Sequence, residues 1–354
     1  MSSPIASPAW GQPPVTGGIR VNPEDFRVVE SLGFEATGEG EHLWLEIEKT
    51  GRNTQEVATD LARVAGLSSR DVSYAGLKDR NAITVQNFSL HLGLAGKLDP
   101  DSIELPGVRV LSARRSARKI RRGRLAGNRF ELTVRDVKGD LEALESRLQT
   151  ISREGVPNGF GEQRFGGNNI ARAYRLFRGE LRRKPGKAKR GFYLSAARSL
   201  VFNQVLNARI REGTWNRLIA GDWVMLDGSH SGFAADPEDA DLVRRCRELD
   251  LHPTGPLPGQ DPSPATGEAG RIEAAVLSEY EELVEGLARF RLETQRRALR
   301  MRVSEMEWDW PETDVLRLSF SLGQGSFATS VLREIVDYHG QALGQDGVGP
   351  QLEA

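Results

Sequence analysis

The sequence predicts an α+β protein of two domains. Apolar and polar residues alternate in several short segments, as around Phe26 and Val28, which is typical of half-buried strands. Other segments repeat apolar residues at helical spacing, as at Leu141, Leu144 and Leu148. At 354 residues the chain is long enough to bury a large core and to divide into two domains.

The elements before residue 66 have clear local signals. Leu43, Leu45 and Ile47 alternate with more polar positions and predict a strand. Asn53 and Glu56 then have the spacing of a capping box, which predicts that a helix begins there.

The second domain is indicated by a change of composition between residues 155 and 169. Gly, Asn and aromatic residues are too frequent there for a regular element, so we expect a hinge. A long helix is predicted from Leu194 to Ile210, and a surface loop rich in Pro and Gly from Pro253 to Gly270. Near Arg302 the chain is expected to return to the first domain, with a strand over residues 315–320.

Composition excludes several classes of protein. The formal net charge is −1, so overall charge does not favour a nucleic-acid partner. Cys246 is the single cysteine and the five histidines show no ligand spacing, so neither a disulfide nor a metal site is expected. No apolar run approaches the roughly 20 residues of a membrane span, and the first residues lack a signal-peptide pattern. We expect a soluble, cytoplasmic protein.

The most informative stretch is the charged tripeptide Lys78-Asp79-Arg80, which interrupts two strand-like runs. Two neighbouring cations favour the charged form of Asp79. An ionised carboxylate at a sheet edge has the state that a nucleophile or general base needs. The simpler interpretation is that Asp79 caps a hairpin turn, and this stretch alone favours it.

A basic segment over residues 109–124 contains no acidic residue, although the whole chain is almost neutral. Such a segment is usually a solvated face, but a surface that contacts phosphates is the functional alternative. The candidates for RNA-backbone contacts are Arg115, Arg118, Lys119, Arg121 and Arg122. Phe130 follows closely, and an aromatic beside basic residues can stack on a base, although an ordinary core position is the simpler interpretation.

Seven motifs occur in the order and spacing of one family. They are Asn22-Pro23-Glu24-Asp25-Phe26, residues 38–42, residues 75–80, Gly127-Asn128-Arg129-Phe130, residues 156–166, residues 194–203 and Gly325-Ser326-Phe327-Ala328-Thr329. Over essentially its whole length the chain resembles the TruD family of tRNA pseudouridine synthases. Seven ordered motifs are far more specific than any one of them.

The resemblance implies a pseudouridine synthase catalytic domain, with a mixed, largely antiparallel sheet and flanking helices, interrupted by an inserted α/β domain peculiar to the family. The implied divisions are an arm at 1–18, catalytic parts at 19–154 and 304–340, the insertion at 155–303 and a tail at 341–354. The implied activity is isomerisation of uridine to pseudouridine in tRNA, at position 13 in bacterial members, without a cofactor or metal. The implied partner is tRNA, with tRNA-Glu as our first choice.

By position, the resemblance makes Asp79 the catalytic aspartate, with Arg20 holding it ionised and oriented. Phe130 would stack on the target base, and Asn128, Phe327 and Lys78 would also bind substrate. Whether Asp79 attacks C1′ of the ribose or assists loss of a C2′ proton is left open.

Two departures from the family pattern stand out. Arg20 occupies a position that is often lysine, and Asn87-Phe88 follows the Gln after which Trp is frequent. Because arginine keeps the charge, we expect activity to survive the first change. The alternatives are a catalytically silent RNA-binding protein on the same scaffold and a hydrolase that cleaves N-glycosidic bonds.

Overall fold

The computed structural model describes residues 3–339, and a ten-stranded mixed sheet runs through the parts before residue 140 and after residue 303. The strands are β1 (Val15–Ile19), β2 (Phe26–Ser31), β3 (His42–Lys49), β4 (Val72–Tyr74), β5 (Ile83–His91), β6 (Val108–Ser116), β7 (Gly127–Gly139), β8 (Val156–Pro157), β9 (Trp223–Leu226), β10 (Gly232–Ala234), β11 (Leu251–Leu257), β12 (Gln295–Ala298), β13 (Arg300–Met301), β14 (Ser304–Glu312), β15 (Val315–Gly323) and β16 (Val336–His339). The helices are α1 (Thr54–Val64), α2 (Leu141–Glu154), α3 (Glu162–Phe165), α4 (Asn169–Phe177), α5 (Lys187–Arg211), α6 (Ala240–Arg247), α7 (Gly267–Glu279), α8 (Glu281–Arg289) and α9 (Ala328–Ile335).

The large sheet has the order β14-β15-β7-β2-β5-β3-β6, and β1, β4 and β16 pair off this path. Only the pairs β2 with β5 and β1 with β16 are parallel among the described strands. The sheet is therefore mixed and largely antiparallel, which confirms the predicted fold class. Strand β7 pairs with β15 along one edge and with both β2 and β1 along the other, so it joins the two ends of the chain.

Helix α1 confirms the local prediction around the capping box. The Asn53 side chain accepts a hydrogen bond from Glu56 N, and the Glu56 carboxylate accepts one from Asn53 N. Val57 and Leu61 are fully buried in the cluster that covers β3 and β5. The cap fixes where α1 begins, and its apolar face holds the helix against the sheet.

The residues before β1 pack more closely than the predicted arm at 1–18. The backbone nitrogens of Ala9 and Trp10 donate to the Glu334 carboxylate on α9, and Trp10 Nε1 donates to Gly155 O. Strand β1 itself begins at Val15 rather than near residue 19. The reason is long-range: the buried Glu334 carboxylate and packing of the Trp10 ring against Trp215 hold this segment.

The residues between α2 and β14 contribute no strand to the ten-stranded sheet. They form a four-stranded sheet of order β10-β9-β11-β12, the small pair β13-β8 and helices α3 to α8. The predicted surface loop from Pro253 is wrong in its first part, because β11 is a buried strand. Strand β11 pairs with β9 through residues 251–253 and with β12 through residues 254–257, so each part of it has a single paired edge among the described strands. Prolines are tolerated at an unpaired edge because they have no backbone N–H to donate. The predicted tail at 341–354 lies outside the described residues.

Candidate active site

Asp79 lies on the loop of residues 75–82 that connects β4 to β5. Strand β5 runs parallel to β2 with Ile83 opposite Arg27, so the loop ends beside the beginning of β2. The side chain of Asp79 is 55% exposed, which leaves its carboxylate open to a substrate.

Arg20 lies at the end of β1 and reaches this carboxylate. Its Nη2 is 3.5 Å from Asp79 Oδ2, and its guanidinium carbon is 3.8 Å from the centre of the Phe26 ring. Burial lowers the pKa of Arg20, and the charge of Asp79 partly opposes that change. The backbone of Arg20 has a φ of 55°, a left-handed conformation that costs a non-glycine residue about 1 kcal/mol or more. The stacked ring and the carboxylate together fix the direction of the guanidinium.

A buried lysine holds the backbone of the Asp79 loop. Lys49, the last residue of β3, is 1% exposed. Its Nζ donates to the carbonyl oxygens of Arg52 at 2.7 Å, Asp79 at 3.0 Å and Lys78 at 3.5 Å. These contacts use all three donors of the ammonium group. Burial lowers the pKa of Lys49 from 10.5 to about 8, because desolvation outweighs the attraction of Asp79.

Two buried polar side chains extend this support. Thr54 Oγ1 accepts a hydrogen bond from Lys78 N at 2.9 Å and donates to Gln86 Oε1 at 3.0 Å. Gln86 Nε2 donates to Gly76 O. The first half of the loop is therefore tied to α1 through Lys78 N and to β5 through Gly76 O.

The Lys78 side chain turns away from Asp79 to a buried carboxylate. Lys78 Nζ is 2.9 Å from Glu30 Oε1, and their side chains are 7% and 0% exposed. The other oxygen of Glu30 accepts a hydrogen bond from Asn87 N at 3.1 Å. We call Lys49, Thr54, Gln86 and the Glu30–Lys78 pair the loop clamp. In this structure Lys78 serves the clamp, and its predicted contact with substrate stays a prediction.

Asn128 and Phe130 lie on β7 beside the clamp. Asn128 is opposite Glu30 in the β2 to β7 pairing, and Phe130 is opposite Val28. Asn128 Oδ1 is buried and has no hydrogen-bond partner among residues 3–339. The Phe130 ring is 7% exposed, with its centre 6.4 Å from that of Phe26. Phe130 thus packs in the core directly under the site, and its stacking on a base stays a prediction.

The basic segment borders the strand that leads into the Asp79 loop. Gly123 N donates to Ala75 O at 2.9 Å, and Arg122 Nη2 donates to Tyr74 Oη at 3.1 Å. Arg115, in contrast, points inward and donates to the carbonyl oxygens of Gly93 and Gly96. The other candidates are exposed: Arg118, Lys119, Arg121 and Arg122.

Phe327 lies on a different element, immediately before α9. It is half-buried and packs against the core of the segment between β8 and β13. The structure therefore brings Asp79 and Arg20 together, directs Lys78 to Glu30, and places Phe327 where the chain returns to the large sheet.

Sequence reasoning missed the clamp residues Lys49 and Glu30. Both continue the inward-facing set of a predicted strand: Lys49 follows Ile47 by two positions, and Glu30 follows Val28 by two. A charge at an inward position of a strand is the signal that would have found them. Phe26, which lies under the Arg20 guanidinium, belongs to the first of the seven motifs, but the sequence assigned it no role at the site.

Within residues 3–339, no group of three or more His, Cys, Asp and Glu side chains could hold a metal ion. None of the helices in that range combines the length and the apolar character needed to cross a membrane.

Comparison with known proteins agrees with this architecture. The family model for tRNA pseudouridine synthase D (TruD) matches residues 5–182 and 177–335. A tRNA pseudouridine synthase D from Methylococcus capsulatus is 48% identical over 94% of this chain and 94% of its own length. That from Hydrogenovibrio crunogenus is 44% identical over 93% of this chain and 95% of its own.

A solved structure has the same fold as this chain. The crystal structure of the TruD protein from Methanosarcina mazei superposes with a TM-score of 0.74 at 25% identity, covering 93% of this chain and 95% of the other. Because the sequence match spans both parts of the large sheet and the segment between them, this chain belongs to the tRNA pseudouridine synthase D (TruD) family.

Proposed function

We propose that this protein isomerises uridine to pseudouridine in tRNA and that Asp79 is the catalytic carboxylate. The assignment of Asp79 rests on one observation: its carboxylate is exposed while its backbone is held in place. The carboxylate is open to solvent with Arg20 3.5 Å away, while the backbone around it is held by the buried loop clamp. Such fixed positioning is what a nucleophile or base requires.

The reaction moves uracil from an N1 to a C5 glycosidic bond. The N1–C1′ bond breaks, the base turns, the C5–C1′ bond forms and the C5 proton is lost while N1 gains a proton, so the product is an isomer. Asp79 acts either by attacking C1′ or by assisting loss of the C2′ proton. Arg20 orients the carboxylate in both schemes.

Binding of the target base draws on three predicted residues. Leaving the helical stack costs the base a few kcal/mol. Stacking on an aromatic ring returns about 1 to 3 kcal/mol per base, a role we propose for Phe130 and Phe327. Phe130 is 7% exposed and packs against Phe26 and Phe320, so it has to shift before a base can stack on it. The free Oδ1 of Asn128 is an acceptor suited to the N3–H group of uracil.

The finer assignments rest on the family resemblance and on the charged surface. We propose position 13 of tRNA as the target, tRNA-Glu as a substrate, and action as a monomer in the cytoplasm. The exposed cations Arg118, Lys119 and Arg121 lie on the segment that borders the Asp79 loop and would contact the tRNA backbone.

The test uses a tRNA-Glu transcript labelled with tritium at C5 of uridine, incubated with the purified full chain. Isomerisation predicts release of tritium to water, at most one equivalent per modified site, with no free uracil. Release of uracil would instead identify a hydrolase. Binding of the transcript with neither product would favour the silent RNA-binding protein.

A further inference from the structure

Three arginines from separate parts of the chain converge beside the loop that carries Phe327. They are Arg164 on α3, Arg198 on α5 and Arg297 on β12. Arg164 and Arg198 lie in two of the family motifs, residues 156–166 and 194–203. The proposed reaction assigns no role to either motif. Arg164 and Arg297 share the ring of Phe160, and Arg198 lies on the same helix as Ser195, which binds Arg164. None of the three has a neutralising carboxylate among the described residues.

Arg297 is held most firmly. Its guanidinium carbon lies 4.4 Å from the centre of the Phe160 ring and 5.8 Å from that of Phe202. It donates to Asn158 O and to Gly325 O, each at 3.1 Å. Burial, with repulsion from Arg164, lowers the pKa of Arg297 to about 9. The bond to Gly325 places this cation two residues from Phe327.

Arg164 shares the same aromatic ring but is held less. Its guanidinium carbon is 5.0 Å from the Phe160 ring centre, and Nη1 donates to Ser195 Oγ at 3.0 Å. Its Nε is buried and has no hydrogen-bond partner in the described part of the chain. Burial lowers the pKa of Arg164.

Arg198 follows Ser195 by one helical turn. Its Nη2 donates to the carbonyl oxygens of Leu257 and Glu293, each at 2.9 Å. As in Arg164, Nε is buried and lacks a partner within residues 3–339. Ser195, which binds Arg164, and Arg198 therefore lie one turn apart on α5.

Other arginines of the protein show what is missing here. Arg178 also lies over an aromatic ring, that of Tyr174, yet Glu282 binds it at 2.5 and 2.7 Å. The buried Arg209 is paired with Asp222 at 2.7 Å. Across residues 3–339, no carboxylate lies within ion-pair distance of Arg164, Arg198 or Arg297. Partly buried cations without an anion are costly, and a bound anion removes much of that cost.

We propose that Arg164, Arg198 and Arg297 form a binding site for a phosphate group of the tRNA backbone. The inference rests on the proposed function, which supplies an RNA ligand. Phosphate offers several acceptor oxygens, and arginine guanidinium groups match them in planar, often bidentate geometry. Because Arg297 donates a hydrogen bond to Gly325 O, the bound phosphate would lie next to Phe327. It would hold in place the RNA strand that carries the target base.

The test measures the dissociation constant of an unmodified tRNA-Glu transcript as a function of KCl concentration. Arg164→Gln removes the cation that has the fewest internal bonds. We expect about 10-fold weaker binding, and a slope of log K against log[KCl] that is smaller by about 0.7 to 0.9, the value of one phosphate contact. Arg164→Lys keeps the charge and should keep the slope.

Arg244→Gln is the matched control, because that exposed arginine is neutralised by Asp241 and Glu248. It should leave the slope unchanged. Arg198→Gln is the second variant, and circular dichroism and urea midpoints identify which variants are folded. A folded Arg164→Gln or Arg198→Gln protein with the wild-type slope overturns the phosphate site. Failure of the proposed function has a different signature, because wild-type protein would then form no pseudouridine in the same transcript.

Discussion

Two groups of buried or partly buried cations differ in their bonding: the loop clamp, and the arginine site formed by Arg164, Arg198 and Arg297. In the loop clamp, Lys49 donates to three carbonyl oxygens and Lys78 is paired with Glu30. In the arginine site, Arg164 and Arg198 each keep a buried Nε without a partner among the described residues. The clamp is complete without a ligand, so it positions a side chain. The arginine site is incomplete without one, which is the reason for assigning it a phosphate.

The largest effect is expected from breaking the Glu30–Lys78 pair. Glu30→Gln leaves the Lys78 charge buried and unneutralised, which should lower the free energy of unfolding by about 3 to 5 kcal/mol in urea titrations. Glu131→Gln is the control, because Glu131 pairs with Arg27 at the surface and should cost less than about 1 kcal/mol. Equal costs for the two variants would mean that the clamp is not a closed, buried unit.

Arg20 links the clamped loop to the chemistry, and its removal should act on rate. Arg20→Met leaves Asp79 without its cation and free to change direction, so we expect the single-turnover rate to fall about 100-fold. Arg20→Lys should keep most of the rate, and Arg27→Met, whose partners are Glu48 and Glu131, should have little effect. A wild-type rate in Arg20→Met would contradict the proposed role.

Lys49 should make stability depend on pH. Its pKa in the folded protein is lowered from 10.5 to about 8, so between these values the unfolded chain binds more protons than the folded protein does. The free energy of unfolding should therefore gain a contribution from Lys49 as pH rises through this window, at up to about 1.4 kcal/mol per pH unit.

The measurement compares urea unfolding of wild type, Lys49→Met and the exposed-lysine control Lys97→Met from pH 7 to pH 10. The difference between wild type and Lys49→Met should widen as pH rises through the window. Parallel curves for these two proteins would show that Lys49 is not desolvated as the structure indicates.

The smallest effect is expected within the basic segment, which also contains one internally bonded arginine and one exposed arginine. Arg115 donates to internal carbonyl oxygens, whereas Arg121 is exposed. Arg121→Ala should reduce the salt slope of tRNA binding by about 0.7 to 0.9, and Arg115→Ala should lower the urea midpoint with no change of slope. The reverse pattern would place Arg115 at the RNA instead.

Local signals made much of the fold predictable from the sequence. The capping box at Asn53 and Glu56 fixed the beginning of α1, and two-residue alternation found β2 and β3. The pairing of β1 with β16 joins residues more than 300 positions apart, and no local pattern encodes it. The prolines of β11 concealed a buried strand for the same reason, because its partners β9 and β12 are distant.

The residues of the candidate site were also predictable from the sequence only in part. Asp79, Arg20 and Asn128 were found through motifs, and the structure shows what surrounds each of them. Lys49 and Glu30 were visible only as charges at inward positions, whose partners are backbone carbonyls and a lysine 48 residues away. Arg297 lies in no recognised motif, and only the folded chain brings it to Phe160 and Arg164.

Pseudouridine mapping tests whether the clamped Asp79 performs the isomerisation. An unmodified tRNA-Glu transcript is incubated with wild type and with Asp79→Asn, which keeps the shape of the side chain, and both proteins are checked for folding and tRNA binding. We expect pseudouridine at position 13 with wild type and none with Asp79→Asn, although both proteins bind the transcript. Pseudouridine formed at a comparable rate by folded Asp79→Asn would contradict this expectation.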